Sequence, residues 1–445
     1  MDKKQQNAIY DVKDLGSVKV LFLGFQHLFA MFGATVLVPL LTGLDVSTTL
    51  LFAGLGTLLF HVVTKGKIPA FLGSSFAFLG GYGAIAPLLE DGSANVEMIP
   101  YACAGVACAG LVYLLMSWLI KIFSVKKIMS FFPPIVTGPI IIAIGLTLSQ
   151  TAVDSCSANW LVALTAIVVV VICNIYGKGM VKIVPILLGV IASYVVGIAM
   201  GEVNFDLIAQ ADWFGIPFNK ELSVFSFLDG GLDTSLLIAS IVTIVPISLA
   251  TIVEHIGDIS AISSTTGISY MEEPGLHRTL LGDGLATAIA SLFGGPANTT
   301  YGENTGVLNL TKVYDPKVVR LAAVFAIVLS FSPKFAAIVQ AMPTATVGGI
   351  SLILYGMISA VGVRNVVENK IDFTNSRNVI IAALILTLSI GVHYSAAGAI
   401  VFYLGSITIS LSGIAVGALV GIILNMILPK QDYEFDEKHI VNPKM

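Results

Sequence analysis

Leu72-Gly73-Ser74-Ser75-Phe76 and Asn298-Thr299-Thr300-Tyr301-Gly302 are two short polar stretches that interrupt apolar runs in a chain of 445 residues. Each follows, at a similar distance, a polar pair that ends in histidine: Gln26-His27 precedes the first stretch and Glu254-His255 precedes the second. Polar residues at matching places in two halves indicate an internal repeat. The pattern is typical of secondary transporters, in which a site near the bilayer midplane lies between two repeats built on interrupted helices.

The composition sets the class of protein. Hydrophobic residues make up 56% of the chain, charged residues only 11%, and the mean hydropathy is +0.92. An ordinary soluble domain contains about 25% charged residues. We therefore predict an all-α polytopic membrane protein that has the lipid bilayer as its surroundings and no nucleic acid as a partner. The first sixteen residues lack the ordered cationic, apolar and small-residue regions of a signal peptide.

Apolar runs between charges and clusters of Gly, Pro and Asn predict about fourteen transmembrane spans of roughly 20 residues each. The polar stretch from Gly201 to Thr234 separates the first seven spans from the second seven. Because seven is odd, the second repeat enters the membrane in the opposite sense, and the repeat is inverted. The predicted spans are Val18–Leu41, Thr48–Val63, Phe71–Leu89, Met98–Ile120, Ile128–Leu148, Trp160–Tyr176, Val181–Met200, Leu236–Glu254, Thr279–Phe293, Asn298–Leu310, Val318–Phe331, Phe335–Tyr355, Val379–Val392 and Ala397–Leu428.

The distribution of basic residues gives the orientation. With the N-terminus inside, all but two of the 23 lysine and arginine residues fall in cytoplasmic segments, and only Lys220 and Lys334 lie outside. Basic residues favour cytoplasmic loops. The sequence therefore predicts a multi-pass protein of the cell membrane with both termini in the cytoplasm.

The third and tenth spans are unusual as helices. Both contain glycine beside hydroxyl-bearing or β-branched residues and an aromatic residue, a composition that favours a short extended segment. Since lipid offers no hydrogen bonds to such a backbone, two extended segments can satisfy each other by pairing as strands. We predict that spans 3 and 10 contain paired extended segments, with two half-helix N-termini facing a central cavity.

Ionisable residues within the spans are functional candidates, because lipid makes them costly. Glu254 and Asp258 lie four residues apart, and hence on one face of the eighth span, at its predicted end. Asp283 falls in the ninth span and Glu303 in the tenth. For Asp258, a solvated position at a helix end is the competing interpretation.

Four runs carry a resemblance to a known family. They are residues 26–35, residues 67–76, Glu254-His255-Ile256-Gly257, and residues 298–307, the last with Glu303-Asn304-Thr305-Gly306. In these runs the chain resembles bacterial uracil permeases of the nucleobase/ascorbate transporter family, also called nucleobase:cation symporter-2. The resemblance covers nearly the whole chain.

The resemblance implies a uracil:proton symporter, and no enzyme, in which a core domain moves against a gate domain. The core would comprise spans 1–4 and 8–11, and the gate spans 5–7 and 12–14. The implied segments are a cytoplasmic N-terminal tail at 1–16, core at 17–122, gate at 123–200, an extracytoplasmic connection at 201–234, core at 235–334, gate at 335–428 and a cytoplasmic C-terminal tail at 429–445.

The resemblance also implies roles for individual residues. Glu254 and Glu303 would be the carboxylates that bind the base, while Phe76 and Gly302 would offer backbone groups. Tyr301 would line the pocket and His27 would lie beside it. No cofactor and no metal ion is expected.

The chemistry of uracil agrees with this set. The base is neutral and flat, with two N–H donors and two carbonyl acceptors, so it needs carboxylate acceptors and backbone N–H donors around it. A neutral solute gains nothing from a proton gradient unless a proton moves with it. Burial favours the protonated form of a carboxylate, which makes Glu254 the first candidate for the proton carrier.

One position departs from the family pattern. Where uracil permeases carry histidine four residues after the first glutamate, this chain has Asp258. A second carboxylate would repel the charge on Glu254 and make it harder to ionise. Proton coupling is accordingly assigned to Glu254 and Asp258 together.

Other functions remain open at this stage. A purine or xanthine permease of the same family is the nearest alternative, although Glu303 resembles the uracil type more than the glutamine expected for purines. An anion transporter of related fold would use the half-helix N-termini, and a channel would need a continuous ion-lined pore. Gly413, Gly417 and Gly421, spaced four apart, can pack within the gate or across a homodimer.

The predicted topology can be tested by cysteine labelling in sealed, right-side-out vesicles. A cysteine in place of Lys220 should react with a membrane-impermeant reagent from outside, and one in place of Lys126 only after the vesicles are opened. Labelling of both positions from the same side would contradict the inverted repeat and the number of spans.

Overall fold

The structure is a computed structural model that describes residues 8–89, 92–123, 127, 130–404 and 407–429. Lys126, most of the N-terminal tail and nearly all of the C-terminal tail lie outside these residues. In the first half the elements are α1 (Ser17–Thr42), α2 (Val46–Val63), β1 (Leu72–Ser74), α3 (Leu79–Ile85), α4 (Ile99–Ile122), α5 (Pro134–Ser157), α6 (Trp160–Tyr176), α7 (Met180–Ile183), α8 (Pro185–Ala199), α9 (Phe205–Gln210) and α10 (Phe227–Gly230). In the second half they are α11 (Thr234–Ile244), α12 (Ile247–Thr266), α13 (Leu276–Leu292), β2 (Asn298–Thr300), α14 (Gly302–Thr311), α15 (Pro316–Ser330), α16 (Pro333–Gln340), α17 (Thr344–Glu368), α18 (Ser376–His393), β3 (Ala399–Leu404), β4 (Ile407–Ser412) and α19 (Gly413–Ile427).

Short polar residues fix where several of these helices begin. Asp45 accepts a hydrogen bond from the backbone N–H of Thr48 at the start of α2, and Asp233 accepts from two N–H groups at the start of α11. Asp315 caps α15, which has proline at its first position. Such caps satisfy N–H groups that have no partner within the helix. The apolar helices therefore start at the polar residues that separate the spans in the sequence.

The helices differ in length. Within the described residues, seven helical segments are long and apolar enough to cross a membrane, and an eighth is added if the α15–α16 pair, bent by 88°, counts as one span. In that count α11 and α12 form one segment across a break at Pro246. Shorter apolar helices include α6, α8 and α19. Each of the fourteen predicted spans overlaps a helix, or a helix interrupted by a strand or a turn, in the described part of the chain.

Three predicted spans have wrong boundaries. The fifth was predicted to end at Leu148, whereas α5 continues to Ser157. The eighth span was predicted to end at Glu254, whereas α12 continues to Thr266, because Ile259 and Ile262 of its last turns are buried in one apolar cluster with Leu308 of α14. The predicted span Phe335–Tyr355 is divided at Pro343, which cannot continue a helix. Its first part is the short helix α16, and the long helix α17 runs on to Glu368.

Helix packing shows the repeat as a pattern of contacts. The pair α4–α13 has a counterpart in α15–α2, and α6–α8 has one in α18–α19. Likewise α1–α15 corresponds to α11–α4, and α17–α6 to α5–α18. Each counterpart is obtained by moving seven segments along the predicted order. The two halves of the chain therefore pack in equivalent ways around a shared centre.

Glycine allows the closest helix contacts. A Cβ on Gly110 of α4 would lie 2.8 Å from the carbonyl oxygen of Gly284 on α13. The C-terminal stripe behaves similarly, because a Cβ on Gly417 would lie 2.0 Å from Ser389 Oγ of α18. Small residues let helices pack without a hydrophobic driving force between them. Of the two interpretations of Gly413, Gly417 and Gly421, packing within the chain is confirmed.

The last predicted span is only partly helical. An antiparallel pair, β3 and β4, precedes α19, with Ala399 opposite Ser412. The hairpin packs on α11, where Thr243 Oγ1 donates to the carbonyl of Ser410 at 2.6 Å. The last predicted span is therefore an antiparallel pair of strands followed by a helix.

Candidate functional site

The predicted paired segments meet at the centre of the structure. Strands β1 and β2 are antiparallel, with Leu72 opposite Thr300 and Ser74 opposite Asn298. The ladder continues beyond both strands, since Ser75 N donates to Ala297 O at 2.8 Å and Tyr301 N donates to Phe71 O at 3.0 Å. The prediction of paired extended segments in spans 3 and 10 is confirmed. Pairing satisfies backbone groups that lipid could not.

A helix begins directly after each strand. A short 3₁₀ turn, Phe76–Phe78, leads from β1 into α3, and α14 begins at Gly302 after β2. We call α3, with this turn, and α14 the half-helices. Neither Ser75 nor Tyr301 caps its helix with a side-chain hydrogen bond. The backbone N–H groups of Phe76 and Gly302, which begin the turn and α14, therefore have no capping side chain, and each N-terminus carries a partial positive charge.

Tyr301 holds this centre together. Its hydroxyl donates to the carbonyl of Ser74 at 2.8 Å and lies 3.3 Å from Thr35 Oγ1. Ser74 Oγ donates to the carbonyl of Thr35 at 2.9 Å. The ring is buried and lies against Gly73, where a Cβ would approach it to 2.5 Å. Tyr301 thus ties both strands to α1 at the edge of the candidate site.

The two predicted base-binding carboxylates approach the site from different helices. Glu303 lies in the first turn of α14, and Glu254 lies in the middle of α12; both are half-buried. Glu254 is close enough to Glu303 for the two charges to interact. The structure therefore brings together two residues that are 49 positions apart in the sequence.

Asp258 joins the same group one turn after Glu254. It lies within α12, and its Oδ2 accepts a hydrogen bond from Thr300 Oγ1 at 2.9 Å. Its carboxylate oxygen is also 3.8 Å from the place where a Cβ would stand on Gly302. A solvated position at the end of a helix, the competing interpretation, does not describe this residue.

His255 and Asp283 form a buried pair near Asp258, a contact between two helices that the sequence did not predict. His255 Nδ1 is 3.0 Å from Asp283 Oδ2, and neither side chain is exposed. Thr300 Oγ1 is 3.5 Å from the same histidine nitrogen, so it connects this pair to Asp258. The available signal was the presence of two ionisable residues inside predicted spans.

His27 lies on α1 and is buried. Asn304 Nδ2 is 3.0 Å from the carbonyl of His27 and 3.1 Å from its Nδ1. One side chain of α14 therefore fixes both the backbone and the ring of His27. Asn304 follows Glu303 in the motif that carried the resemblance, and its part in positioning His27 could not be read from spacing.

Phe76 faces the neighbouring group of helices. Its ring meets that of Tyr355 on α17 edge-on, with ring centroids 6.2 Å apart. Next to it the hydroxyl of Ser75 is buried and has no hydrogen-bond partner among the described residues. Phe76 and Ser75 therefore lie at the contact between the start of the α3 half-helix and α17.

The arrangement offers both kinds of hydrogen-bonding group. Carboxylates of Glu254 and Glu303 are acceptors, and the N–H groups after Ser75 and Tyr301 are donors. Among the described residues, no group of three or more His, Cys, Asp or Glu side chains is placed to hold a metal ion. Chemically the site suits a small planar solute that carries N–H and carbonyl groups on its edges.

The fold is mainly helical, with the antiparallel strands β1 and β2 and the N-termini of two half-helices at its centre. This is the fold of a membrane transporter. The chain belongs to the permease family, whose pattern it matches over residues 18–398. It is 40% identical over 434 residues to a probable uracil permease of Haemophilus influenzae, covering 94% of this chain and 96% of that one. It is 39% identical to the uracil permease of Bacillus caldolyticus, covering 95% of each chain, and 36% identical to that of Escherichia coli K12, covering 91% and 90%.

Solved structures share the fold at low sequence identity. The transmembrane domain of the cyanobacterial bicarbonate transporter BicA matches with a TM-score of 0.58 at 15% identity, over 94% of this chain and 99% of that one. Murine solute carrier 26 member A9, an anion transporter, matches with a TM-score of 0.63 at 10% identity, over 94% and 69%.

These comparisons confirm two predictions. The resemblance to bacterial uracil permeases is confirmed by the family and by the relatives. The fold class, an all-α polytopic membrane protein with seven plus seven segments, is confirmed by the structure together with its structural relatives. The chain is a permease, and thus a transporter. It is an integral, multi-pass membrane protein.

The position of Tyr301 gives a test of the crossed strands. Gly73→Ala places a methyl group against the Tyr301 ring and Thr35, so we expect a loss of about 1–3 kcal/mol of stability from overpacking. The measurement is the thermal unfolding midpoint of the purified protein in detergent. Gly83→Ala on α3 is the matched control, because nothing lies within 4 Å of its added Cβ. Equal midpoints for the two variants would contradict the packing of Tyr301 on β1.

Proposed function

We propose that this chain imports uracil together with protons by alternating access. The observation that carries the proposal is the meeting of two half-helix N-termini with Glu303 and Glu254 at the crossing of β1 and β2. This set of donors and acceptors complements a neutral base. The curated uracil permeases, which resemble the chain over nearly its full length, support the same substrate.

Recognition of the base divides between the two halves of the site. Glu303 and Glu254 accept from the two N–H groups of uracil, while the backbone N–H groups of Phe76 and Gly302 donate to its carbonyl oxygens. Charge-assisted hydrogen bonds are the stronger ones, so the carboxylates orient the base. Tyr301 supports the site from the strands, and His27, held by Asn304, lies beside it.

A purine or xanthine permease is the second candidate. It is favoured by membership of the family alone, whereas Glu303 and the names of the relatives at 36–40% identity favour uracil. A buried site that is built for the edges of one base rejects another base whose groups leave its carboxylates unpaired.

The moving parts follow from the packing of the helices. We assign α1, α2, α4, α11–α13 and α15, with the two strands and their half-helices, to the core, and α5, α6, α8 and α17–α19 to the gate. Phe32 of α1 packs against Phe335 of α16, so we place the boundary between the domains at Pro343, eight residues after the predicted one. Phe76 and Tyr355 then meet across the interface that opens and closes around the base.

Proton coupling is assigned to Glu254 and Asp258. The two carboxylates are one helical turn apart and interact electrostatically, so protonation of one favours ionisation of the other. Thr300 donates to Asp258 and stabilises its charged form. A proton taken up at this pair together with the base would couple transport to the proton gradient.

We place the protein in the cytoplasmic membrane with both termini in the cytoplasm, on the strength of the asymmetric basic residues. A homodimer would have to use a surface other than the stripe of Gly413, Gly417 and Gly421, which packs against α18.

The substrate is tested by uptake of radiolabelled uracil into proteoliposomes under an imposed pH gradient, in competition with xanthine, adenine and cytosine. In this assay and in equilibrium binding, Glu303→Gln should weaken uracil binding by about 2 kcal/mol or more, because an acceptor oxygen becomes a donor amide. Binding within about twofold of the parent would remove Glu303 from the site. Uptake of labelled xanthine without uptake of labelled uracil in the same vesicles would favour the second candidate.

The coupling proposal is tested separately with Asp258→Asn. This change removes the negative charge next to Glu254, which then ionises more readily, so the optimum of transport should shift towards acid. Uracil affinity at low pH should change little, since the base is bound by other groups. Uptake measured from acidic to mildly alkaline pH decides the matter, and an unchanged profile would leave Asp258 without a part in coupling.

A further inference from the structure

A cavity lies at the start of α1, away from the paired strands β1 and β2. It has a volume of about 420 Å³, within the range of roughly 300–1,000 Å³ that is usual for ligand pockets. Its lining is almost wholly apolar: Ile9, Leu15, Val18, Phe22, Leu23 and Val313, joined by Lys19 and Thr311. The side chains of Val18 and Phe22 are 80% and 55% exposed, so the cavity opens sideways towards the surroundings of α1.

The segment before α1 forms one wall of this cavity and is firmly held. Ile9 N donates to Lys312 O at 2.9 Å, and Tyr314 N donates to Ile9 O at 2.8 Å. The backbone N–H of Val12 donates to Asp315 Oδ2 at 2.9 Å, and Tyr10 OH donates to the carbonyl of Thr266 at 2.7 Å. The cavity is therefore a built feature between α1 and the turn that follows α14.

Some of the charged side chains around the cavity form ion pairs, and one lysine does not. Lys317 lies 3.1 Å from Asp11 and 3.4 Å from Asp315, and Lys13 lies 3.6 Å from Asp11. The backbone N–H of Lys13, followed by the side chain of Lys317, lowers the pKa of Asp11 below its ordinary value, so this network stays charged. By contrast, the described part of the chain provides no ion pair for Lys19, which lines the cavity.

The end of the helix adds to this positive charge. α1 has Gly16 as its N-cap with no side-chain hydrogen bond, and its first turn contains no acidic residue. Within the part of the chain that the structure describes, no side chain caps this end, so the free N–H groups and the partial positive charge of a 26-residue helix lie beside Lys19. An apolar cavity that opens to lipid and has unpaired positive charge at one end matches an amphiphile with an anionic head.

We propose that this cavity binds one anionic phospholipid, with an acyl chain against Phe22 and Leu23 and the phosphate beside Lys19 and the first turn of α1. A zwitterionic phospholipid would bring the same chain but little net charge. The bound lipid would join the segment before α1 to the turn at Lys312, directly after the half-helix that carries Glu303. The proposal is independent of which base is transported.

Native mass spectrometry of the full-length chain, delipidated and then titrated with phosphatidylglycerol or phosphatidylcholine of the same acyl chains, tests the site. We expect one phosphatidylglycerol to be retained per chain in preference to phosphatidylcholine. Lys19→Gln should lower that retention about five-fold, as expected for one lysine near an anionic lipid surface. Val18→Asp, at a highly exposed position, should lower it at least as much by placing a negative charge at the opening.

Lys121→Gln, at an exposed lysine in the last turn of α4, is the matched control and should retain lipid as the parent does. Equal retention of both lipids, or parental retention by Lys19→Gln, would mean surface lipid only and would overturn the proposal. A loss of dimer in Val18→Asp with unchanged lipid would assign the cavity to a second copy of the chain, and would overturn it as well.

Discussion

The requirement that backbone N–H and C=O groups find partners inside a membrane governs this structure. Two spans are interrupted by extended segments, and three residues from each half satisfy the other across the centre. The interruption is what exposes helix N-termini at the middle of the molecule, where continuous helices would present only side chains. Because one strand comes from each repeat, the pairing also holds the two repeats together. The site therefore forms only when both repeats are folded and packed on each other.

The sequence was sufficient for features that depend on local composition. Glycine and hydroxyl residues around Phe76 and Tyr301 predicted the paired segments, and polar residues before Thr48 and Ser235 marked where helices start. Boundaries that depend on tertiary context were missed. Nothing local to Glu254 shows that α12 continues for three more turns, because those turns are stabilised by packing against the half-helices.

The same distinction applies to the site. Glu254 and Glu303 could be proposed from their cost in lipid and from the family motif, but the contact between His255 and Asp283 joins residues of two helices and has no signature in spacing. The role of Thr300 was hidden for another reason. As a strand residue it was expected to support backbone pairing, whereas its hydroxyl also reaches Asp258. Side chains that leave a strand in this way can be assigned only once the strand has a direction and neighbours.

The half-helix termini also have an electrostatic consequence. Two helix N-termini that point into one space create a positive potential, and this is a natural anion site. The solved structures that share this fold include a bicarbonate transporter and an anion transporter. In the present chain Glu303 occupies the first turn of one half-helix and supplies an internal counter-charge. A carboxylate in this first turn offsets the potential of that helix end, so the space beside it attracts a solute anion less than a bare helix terminus would.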